Sequence, residues 1–456
     1  MTSAHSQTPA RHLGVWHAVS VCVGMVIGAG IFKTSPMVAA NLNSDFMLYI
    51  AWALGGVLSF VGALCFAELA STFPSAGGDY HFLRLAFGHR MGFLFAWSRF
   101  AVIHTGSMAL LAFVFGDYLG QLIPLGSYGS AVFAALVISL LTLLNLRGIR
   151  VGLTTQIGLM SLVIGGLLAL GATSAWTVSV GIAPASPLTV VAPAVGREQI
   201  GVAMVFVFLA YGGWSDAATL SAEMRDSKRG IVRALLIGLS VVTALYLLAN
   251  WAYLQSLGLE GLANSSAPAA DLMRRAFGPI GEIAIVGVVA ITSITVMNAI
   301  LITGARTTWA AARDVQRAFG LARWDLSRGI PPLAVLAIGV MALLLVGLGT
   351  FTRGGFSTMV DYLSPVYWGF LTLSGACVMI LRIRYPEAVR PFRVPLYPVL
   401  PLLFCACSIY LFWSSVLYVK TGAIVGLVVL ALGAIPLLLA KPQTFKEKTA
   451  SAKSSA

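Results

Sequence analysis

The sequence predicts an all-α polytopic membrane protein with twelve transmembrane helices. Hydrophobic residues make up 58% of the 456 residues and charged residues only 10%, and the mean hydropathy is +0.90. A soluble protein of this length could not bury so much apolar surface. The apolar residues recur in runs of about 20, the length at which a helix crosses the hydrocarbon core. Lipid is therefore the expected solvent for most of the chain.

Each apolar run is interpreted as one span. The twelve predicted spans cover residues 13–39, 46–70, 91–119, 130–146, 153–173, 199–222, 232–257, 280–312, 332–350, 356–382, 396–419 and 421–440. The eighth is long, so its helix is expected to extend beyond the bilayer. The polar N-terminus lacks the basic region and cleavage site of a signal peptide, so the first span is expected to be retained.

Basic residues are distributed unevenly between the two sides of the predicted membrane. Of the 29 Lys and Arg residues, 22 fall on the side of both termini, five on the other side, and Lys33 and Arg99 within spans. The positive-inside rule then places both termini in the cytoplasm, with the plasma (inner) membrane as the expected location. Because the net charge of +13 sits in short loops, it indicates topology and not a nucleic-acid partner.

Two of the spans carry glycines at their centres. The first contains "CVGMVIGAGIF", residues 22–32, and the sixth contains "FLAYGGWS", residues 208–215. These spans start from opposite sides of the membrane and lie five crossings apart, which is typical of an inverted-repeat secondary transporter. The predicted organisation is a cytoplasmic tail at 1–12, a first repeat at 13–173, a second repeat at 199–382, two further helices at 396–440 and a cytoplasmic tail at 441–456.

The glycines of either span alone also fit close helix packing, to which small residues contribute in membranes. A helix break in lipid leaves peptide groups without partners at a cost of several kcal/mol each. Such a break persists where a ligand takes up those groups. The N–H groups that begin a half-helix attract a carboxylate, and the carbonyls that end one attract an ammonium or metal cation. The pairing of the two breaks therefore favours a ligand site.

Motifs along the chain carry a family resemblance. "GMVIGAGIF" resembles the first-span motif of the amino acid–polyamine–organocation (APC) superfamily, and "LAYGGWS" resembles the sixth-span motif of its L-type amino acid transporter branch. Further segments resemble the same family at 62–88, 93–119, 222–235, 297–314 and 390–401. The likeness covers residues 13 to 420. It implies a LeuT-like fold of five-plus-five inverted repeats with two further helices, and alternating access around a site at the membrane midplane.

The resemblance also implies site residues by position. The substrate carboxylate would be bound by the N–H groups of Gly28, Ala29 and Gly30. The substrate amino group would be bound by the carbonyls of Val26, Leu209, Ala210 and Gly212. Trp214 and Ser215 would border the side-chain pocket. Leu209 would occupy the gating position, which is often aromatic in the family.

The fifth span departs from the family. Many relatives carry a lysine there whose ammonium takes the place of a sodium ion, whereas this chain has Val163. Two replacements are open. A sodium ion would use carbonyls near Gly24 and Ile27 with the hydroxyls of Thr292 and Ser293, because oxygen ligands suit hard cations. Otherwise a proton binds to a titratable group elsewhere, or no ion is coupled.

Ionisable residues within spans are functional candidates. Arg99 is interpreted as reaching the cytoplasmic surface, and His104 as a hydrogen-bonded residue or a proton carrier. For Asp216 the favoured role is to cap the half-helix that follows the second break; binding a cationic side chain or a proton is the alternative. Glu68 and Glu223 lie near arginines at span ends and are either solvated or part of an inner gate.

The predicted function is therefore transport of amino acids, most simply neutral ones, without a cofactor beyond a coupling ion, Na⁺ or H⁺. A carrier of cationic amino acids or amines is the alternative. A membrane enzyme is disfavoured, since the six histidines form no cluster with other catalytic groups. The five cysteines show no metal-binding spacing and leave an odd number for disulfides. The loop "GQLIPLGSYGS" lacks cysteine, so no disulfide-linked heavy subunit is expected.

Overall fold

The computed structural model describes residues 14–28, 30–75, 77–148, 153–182, 184, 196–217, 224, 230–313, 320–325, 328–352, 354–418 and 420–439. Over these ranges the regular structure is helical. The α-helices are α1 Val15–Val26, α2 Ile31–Ala39, α3 Asp45–Thr72, α4 Asp79–Phe87, α5 His89–Ser98, α6 Thr105–Leu122, α7 Gly129–Leu146, α8 Leu153–Ser179, α9 Arg197–Tyr211, α10 Gly230–Asn264, α11 Pro268–Arg313, α12 Pro332–Phe351, α13 Gly355–Arg384, α14 Val399–Tyr418 and α15 Lys420–Leu439.

The all-helical, multi-pass architecture is confirmed. Ten helices in the described ranges are long and apolar enough to cross a membrane, and α1 with α2 forms one more candidate span bent by 45°. A π-helical turn at Arg99–His104, here called the π segment, joins α5 to α6 within the third span. The helix α15 occupies the predicted twelfth span. The count of twelve and the inverted repeat remain predictions.

Glycines with positive φ lie at the end of one predicted span and at the start of the next. Gly258 within α10 has φ of 71°, and Gly278 within α11 has φ of 63°. Residues with a β-carbon rarely adopt such angles, so these positions break the regular helix. The seventh span was predicted to stop at residue 257, and the eighth to begin at residue 280, next to these two glycines.

The apolar residues divide between a buried core and an outward face. Tyr246, Trp52 and Trp368 are among the largest fully buried side chains. Leucines such as Leu136 and Leu344 are exposed by more than half. Exposed leucines on long apolar helices are what a lipid-facing surface requires, since the solvent there is as apolar as the side chain.

The packing of α10 positions the two broken spans. It lies against α1, α2 and α3, while α2 also packs against α9.

In the π segment the carbonyl of Ala101 accepts hydrogen bonds from Tyr362 Oη at 2.9 Å and Thr105 Oγ1 at 3.0 Å. Side chains thereby satisfy a backbone group of the irregular turn. Such π-helical turns occur frequently at functional sites.

Candidate functional site

The breaks in the first and sixth spans meet inside the bundle. The helix α1 ends at Val26 and α2 begins at Ile31, while α9 ends at Tyr211 and a 3₁₀ turn follows at 214–217. Gly213 between them has φ of 101°, and a β-carbon there would collide with the carbonyl oxygen of Met25. Only glycine allows both this conformation and this close approach of two backbones.

A second contact joins the other halves of the two spans. A β-carbon at Gly30 would lie 3.6 Å from the α-carbon of Ala210, so the start of α2 faces the end of α9. The first N–H groups of α2 and the last carbonyls of α9 lack partners within their own helices. The N–H of Gly28 donates to the carbonyl of Val26 at 2.7 Å. Ala29 lies outside the described residues.

A tyrosine of α10 bridges the two breaks. Its phenolic oxygen, Tyr246 Oη, lies 3.0 Å from the carbonyl oxygen of Val26 and 2.9 Å from that of Ala210. The phenol has one hydrogen, which these two acceptors share. Both carbonyls were predicted to bind the substrate amino group. The role of the tyrosine was not predicted, because a single hydroxyl in an apolar run does not indicate which groups it bonds.

The remaining residues predicted for substrate occupy different surroundings. Trp214 is buried, with its ring 5.0 Å from that of Phe66 and 6.1 Å from that of Phe404. Ser215 lines a small cavity beside the break. Leu209 is half-buried, and its carbonyl accepts the N–H of Gly212 at 3.1 Å. Their roles toward a substrate stay predictions.

The residues predicted for sodium are engaged within their own helices. Thr292 Oγ1 donates to the carbonyl of Val288 at 2.7 Å, and Ser293 Oγ donates to that of Val289 at 2.9 Å. Both oxygens retain lone pairs for a cation. Among the described residues, no group of three His, Cys, Asp or Glu side chains is placed to hold a metal ion. The sodium site stays a prediction.

The other candidate positions of the first and fifth spans are packed together. A β-carbon at Gly24 would lie 3.4 Å from Met160 Sδ of α8. The N–H of Ile27 donates to the carbonyl of Val23 at 2.7 Å, which extends the hydrogen bonding of α1 by one residue. Val163 is buried within the hydrophobic core. Nothing charged therefore stands at the position of the family's lysine.

Arg99 is paired inside the protein, and the prediction that it reaches the surface is wrong. Its Nη1 lies 2.7 Å from Asp216 Oδ1, with the Arg99 side chain 12% exposed. Asp216 therefore holds an arginine of the third span; the half-helix that it was predicted to cap begins outside the described residues, so the capping role stays a prediction. Arg99 Nε also donates to His104 Nε2 at 3.0 Å. Because a guanidinium only donates, His104 accepts through Nε2 and is neutral, which argues against its carrying a proton.

Glu68 is buried, so of its two predicted roles the solvated one is wrong, and the inner-gate role stays a prediction. Its carboxylate accepts Arg382 Nε at 2.7 Å, Arg382 Nη2 at 2.6 Å and the backbone N–H of Val394 at 2.7 Å. Arg390 Nε lies 3.6 Å away. The end of α3 is thus tied to the end of α13 and to the segment that leads into α14. Glu223 lies outside the described residues.

A further ion pair joins the first and third spans. Lys33 Nζ lies 2.7 Å from Asp117 Oδ2 and donates to the carbonyl of Ser266 at 2.9 Å. These bonds tie α2 to α6 and to the connection between α10 and α11. The sequence placed Lys33 within a span but gave no partner, since the three residues are far apart along the chain.

Broken helices that meet at the centre of a polytopic helical bundle are the architecture of membrane transport proteins of the secondary type. The amino acid permease family matches residues 13–435. The chain belongs to this family.

Individual relatives cover most of the chain. It is 30% identical over 421 residues to the large neutral amino acids transporter small subunit 2 of Mus musculus, spanning 89% of this chain and 77% of that one. It is 28% identical over 434 residues to the b(0,+)-type amino acid transporter 1 of Homo sapiens, spanning 91% and 85%. It is 27% identical over 423 residues to the serine/threonine exchanger SteT of Bacillus subtilis (strain 168), spanning 89% and 91%. The relatives are transporters, so the chain is a permease and not an enzyme.

Proposed function

We propose that this permease is a secondary active transporter of neutral L-amino acids that works by alternating access. The observation that carries the proposal is the meeting of the two breaks, where Gly213 lies against Met25 and Gly30 faces Ala210. Backbone donors and acceptors thereby converge at one place in the bundle. An amino acid carries a carboxylate and an ammonium on one carbon, and it matches such a pair of helix ends.

In this proposal the substrate carboxylate binds the N–H groups of Gly28, Ala29 and Gly30 at the start of α2. The ammonium binds carbonyls at the end of α9 and of α1, in the set Val26, Leu209, Ala210 and Gly212. In the structure some of these groups bond one another, as Gly28 N–H bonds Val26 and Tyr246 bonds Val26 and Ala210. Substrate entry exchanges or shares these bonds, which keeps the peptide groups satisfied in both states.

Neutral substrates are favoured by the pairing of Asp216. Its carboxylate already holds the Arg99 guanidinium at 2.7 Å, so it is not available as the sole partner of a cationic side chain. The names of the relatives support amino acids as the substrate class, and two of them name neutral amino acids. Carriage of cationic amino acids or amines is the alternative.

The expected setting is the plasma (inner) membrane with both termini in the cytoplasm, as the basic loops indicate. A disulfide-linked heavy subunit is not expected, because the loop between the third and fourth spans has no cysteine to form the link. One relative is named as a small subunit. Purification of this chain without a second protein tests for a non-covalent partner.

A substrate panel in reconstituted vesicles tests the proposal. Purified protein is placed in liposomes loaded with one unlabelled amino acid, and entry of a labelled neutral amino acid by counterflow is measured. Neutral amino acids inside are expected to accelerate entry, and cationic amino acids and amines are not. Loss of cationic uptake alone in Asp216→Asn would favour the alternative. Absence of counterflow with every amino acid would contradict the proposal.

A further inference from the structure

A small cavity lies next to the sixth-span break, lined by Gly213, Ser215 and Asp216. Its volume of about 40 Å³ holds a few water molecules. Three charged residues line it from three elements: Asp79 at the start of α4, Arg99 in the π segment and Asp216 in the turn after the break. The chain segments that contribute them are distant in sequence, so the fold brings these charges together.

The charges in this cavity do not balance. Arg99 is paired with Asp216 at 2.7 Å, and His104 accepts from Arg99 as a neutral ring. Asp79 is the third group. It is 7% exposed, and its Oδ1 has no hydrogen-bond partner in the described part of the chain. If Asp79 were ionised, two carboxylates would share one guanidinium in a buried site.

The groups that face Asp79 from its neighbours do not supply the missing positive charge. They are Arg99 from the π segment, Asp216 from the sixth span, and Tyr367 and Cys377 from α13. Tyrosine and cysteine are ordinarily uncharged at neutral pH. A buried ionised carboxyl without a partner is costly, and the usual remedy is to bind a proton or a cation.

The surroundings favour a proton over a metal ion. A sodium ion needs a shell of several oxygen ligands, whereas Asp216 is already bonded to Arg99 and the guanidinium repels a second cation. A proton needs only one carboxyl oxygen. We propose that Asp79 is the proton-binding group of a proton-coupled transport cycle, an inference that rests on the proposed transport function.

The position of Asp216 links the protonation of Asp79 to the substrate site. Asp216 follows Gly213 by three residues, and Gly213 lies against the first-span break. An ionised Asp79 competes with Asp216 for Arg99, and a protonated Asp79 leaves Arg99 to Asp216. Proton binding thereby strengthens the link between the third span and the sixth-span half-helix. Burial raises the pKa of Asp79 to about 8, and opening of the cavity to water returns that pKa toward its ordinary value.

Reconstituted vesicles separate this proposal from the transport function itself. Wild type, Asp79→Asn and Asp79→Glu are compared in counterflow at equal pH and in uptake driven by an acid-outside gradient. Wild type and Asp79→Glu are expected to accumulate substrate above the external concentration. Asp79→Asn is expected to lose gradient-driven accumulation while counterflow persists. Asp361→Asn is the matched control, because Asp361 also has a carboxyl oxygen without a described partner but does not line the cavity; it is expected to retain coupling.

A measurement on the wild type alone keeps the proposal open to refutation if Asp79→Asn fails to fold. A pH-sensitive dye inside the vesicles is expected to report acidification when substrate is added outside. No acidification during net uptake into vesicles without internal substrate, by protein that supports counterflow, would overturn proton coupling and leave the transport function standing. Accumulation driven by a sodium gradient alone, or retained pH-driven accumulation in Asp79→Asn, would also overturn it. Absence of wild-type counterflow would overturn the transport function, and the proton site with it.

Discussion

Gly213 of the sixth span lies directly against the carbonyl oxygen of Met25 in the first span, with no room for a β-carbon. Its φ of 101° is also one that residues with side chains rarely adopt. The two breaks can therefore lie this close together only because residue 213 has no β-carbon. This contact joins the first and sixth spans at the place where the substrate is proposed to bind.

Replacement of that glycine is expected to reduce transport strongly. Gly213→Ala adds a backbone strain of about 1–2 kcal/mol and forces the two breaks apart, so uptake should fall by about tenfold or more. The matched control is Gly165→Ala on α8, where a β-carbon would meet nothing within 4 Å. Uptake into vesicles measures both. Normal uptake by Gly213→Ala would show that the close approach is not needed.

The Tyr246 hydroxyl is expected to matter for the site and not for folding. Tyr246→Phe removes a bond to Val26 and Ala210 worth about 1 kcal/mol, so substrate affinity should change by roughly fivefold. Tyr253→Phe on the same helix is the control, since that hydroxyl has no partner among the described residues. Competition by unlabelled substrate gives the affinity. Equal affinities in the two variants would contradict the bridging role.

The buried carboxylate of Glu68 is expected to stabilise the fold. Glu68→Gln leaves Arg382 without its charged partner, and loss of one partner of a buried pair costs about 3–5 kcal/mol. Glu387→Gln, on the exposed segment after α13, should change stability little. Thermal unfolding in detergent compares the two variants. A melting temperature for Glu68→Gln equal to that of the wild type would refute this role.

Stability is expected to depend on pH through Asp79, which lies on α4 outside the predicted spans. Burial raises its pKa to about 8 from an ordinary 3.8, so between these values the folded protein holds a proton that the unfolded chain has released. By linkage, this residue lowers the free energy of unfolding as pH rises through that window. Asp79→Asn removes this pH-dependent loss of stability. The melting temperature of the variant minus that of the wild type should therefore increase between acid pH and about pH 8. A constant difference would contradict the raised pKa.

The sequence predicted the spans and both breaks, because apolar length and central glycines are local signals. It did not predict which charges meet. Arg99 and Asp216 lie on different spans, and only the fold places the π segment opposite the turn after Gly213. The same holds for Glu68 and Arg382. They form a bidentate pair, but they lie too far apart along the chain for the sequence to predict it. Such pairings depend on helix packing, which one sequence does not encode in any local pattern.

Tyr246 illustrates the same limit within the candidate site. A tyrosine in the middle of an apolar span indicates a buried hydroxyl in need of a partner. Which carbonyls it reaches depends on the unwound geometry of two other spans. The backbone positions of the site could be predicted from the family motif. The side chain of Tyr246, which bonds two of them, was identified only in the structure.

Direct binding of a labelled neutral amino acid to the purified protein tests the central claim, that substrate sits between the two broken helices. Gly30→Leu places a side chain against Ala210 and fills that space, and Gly165→Leu on α8 places the same side chain where nothing lies within 4 Å of a β-carbon. Wild type and Gly165→Leu are expected to bind saturably, and Gly30→Leu is expected to bind nothing while eluting as a folded protein. Binding by Gly30→Leu with wild-type affinity would contradict the account.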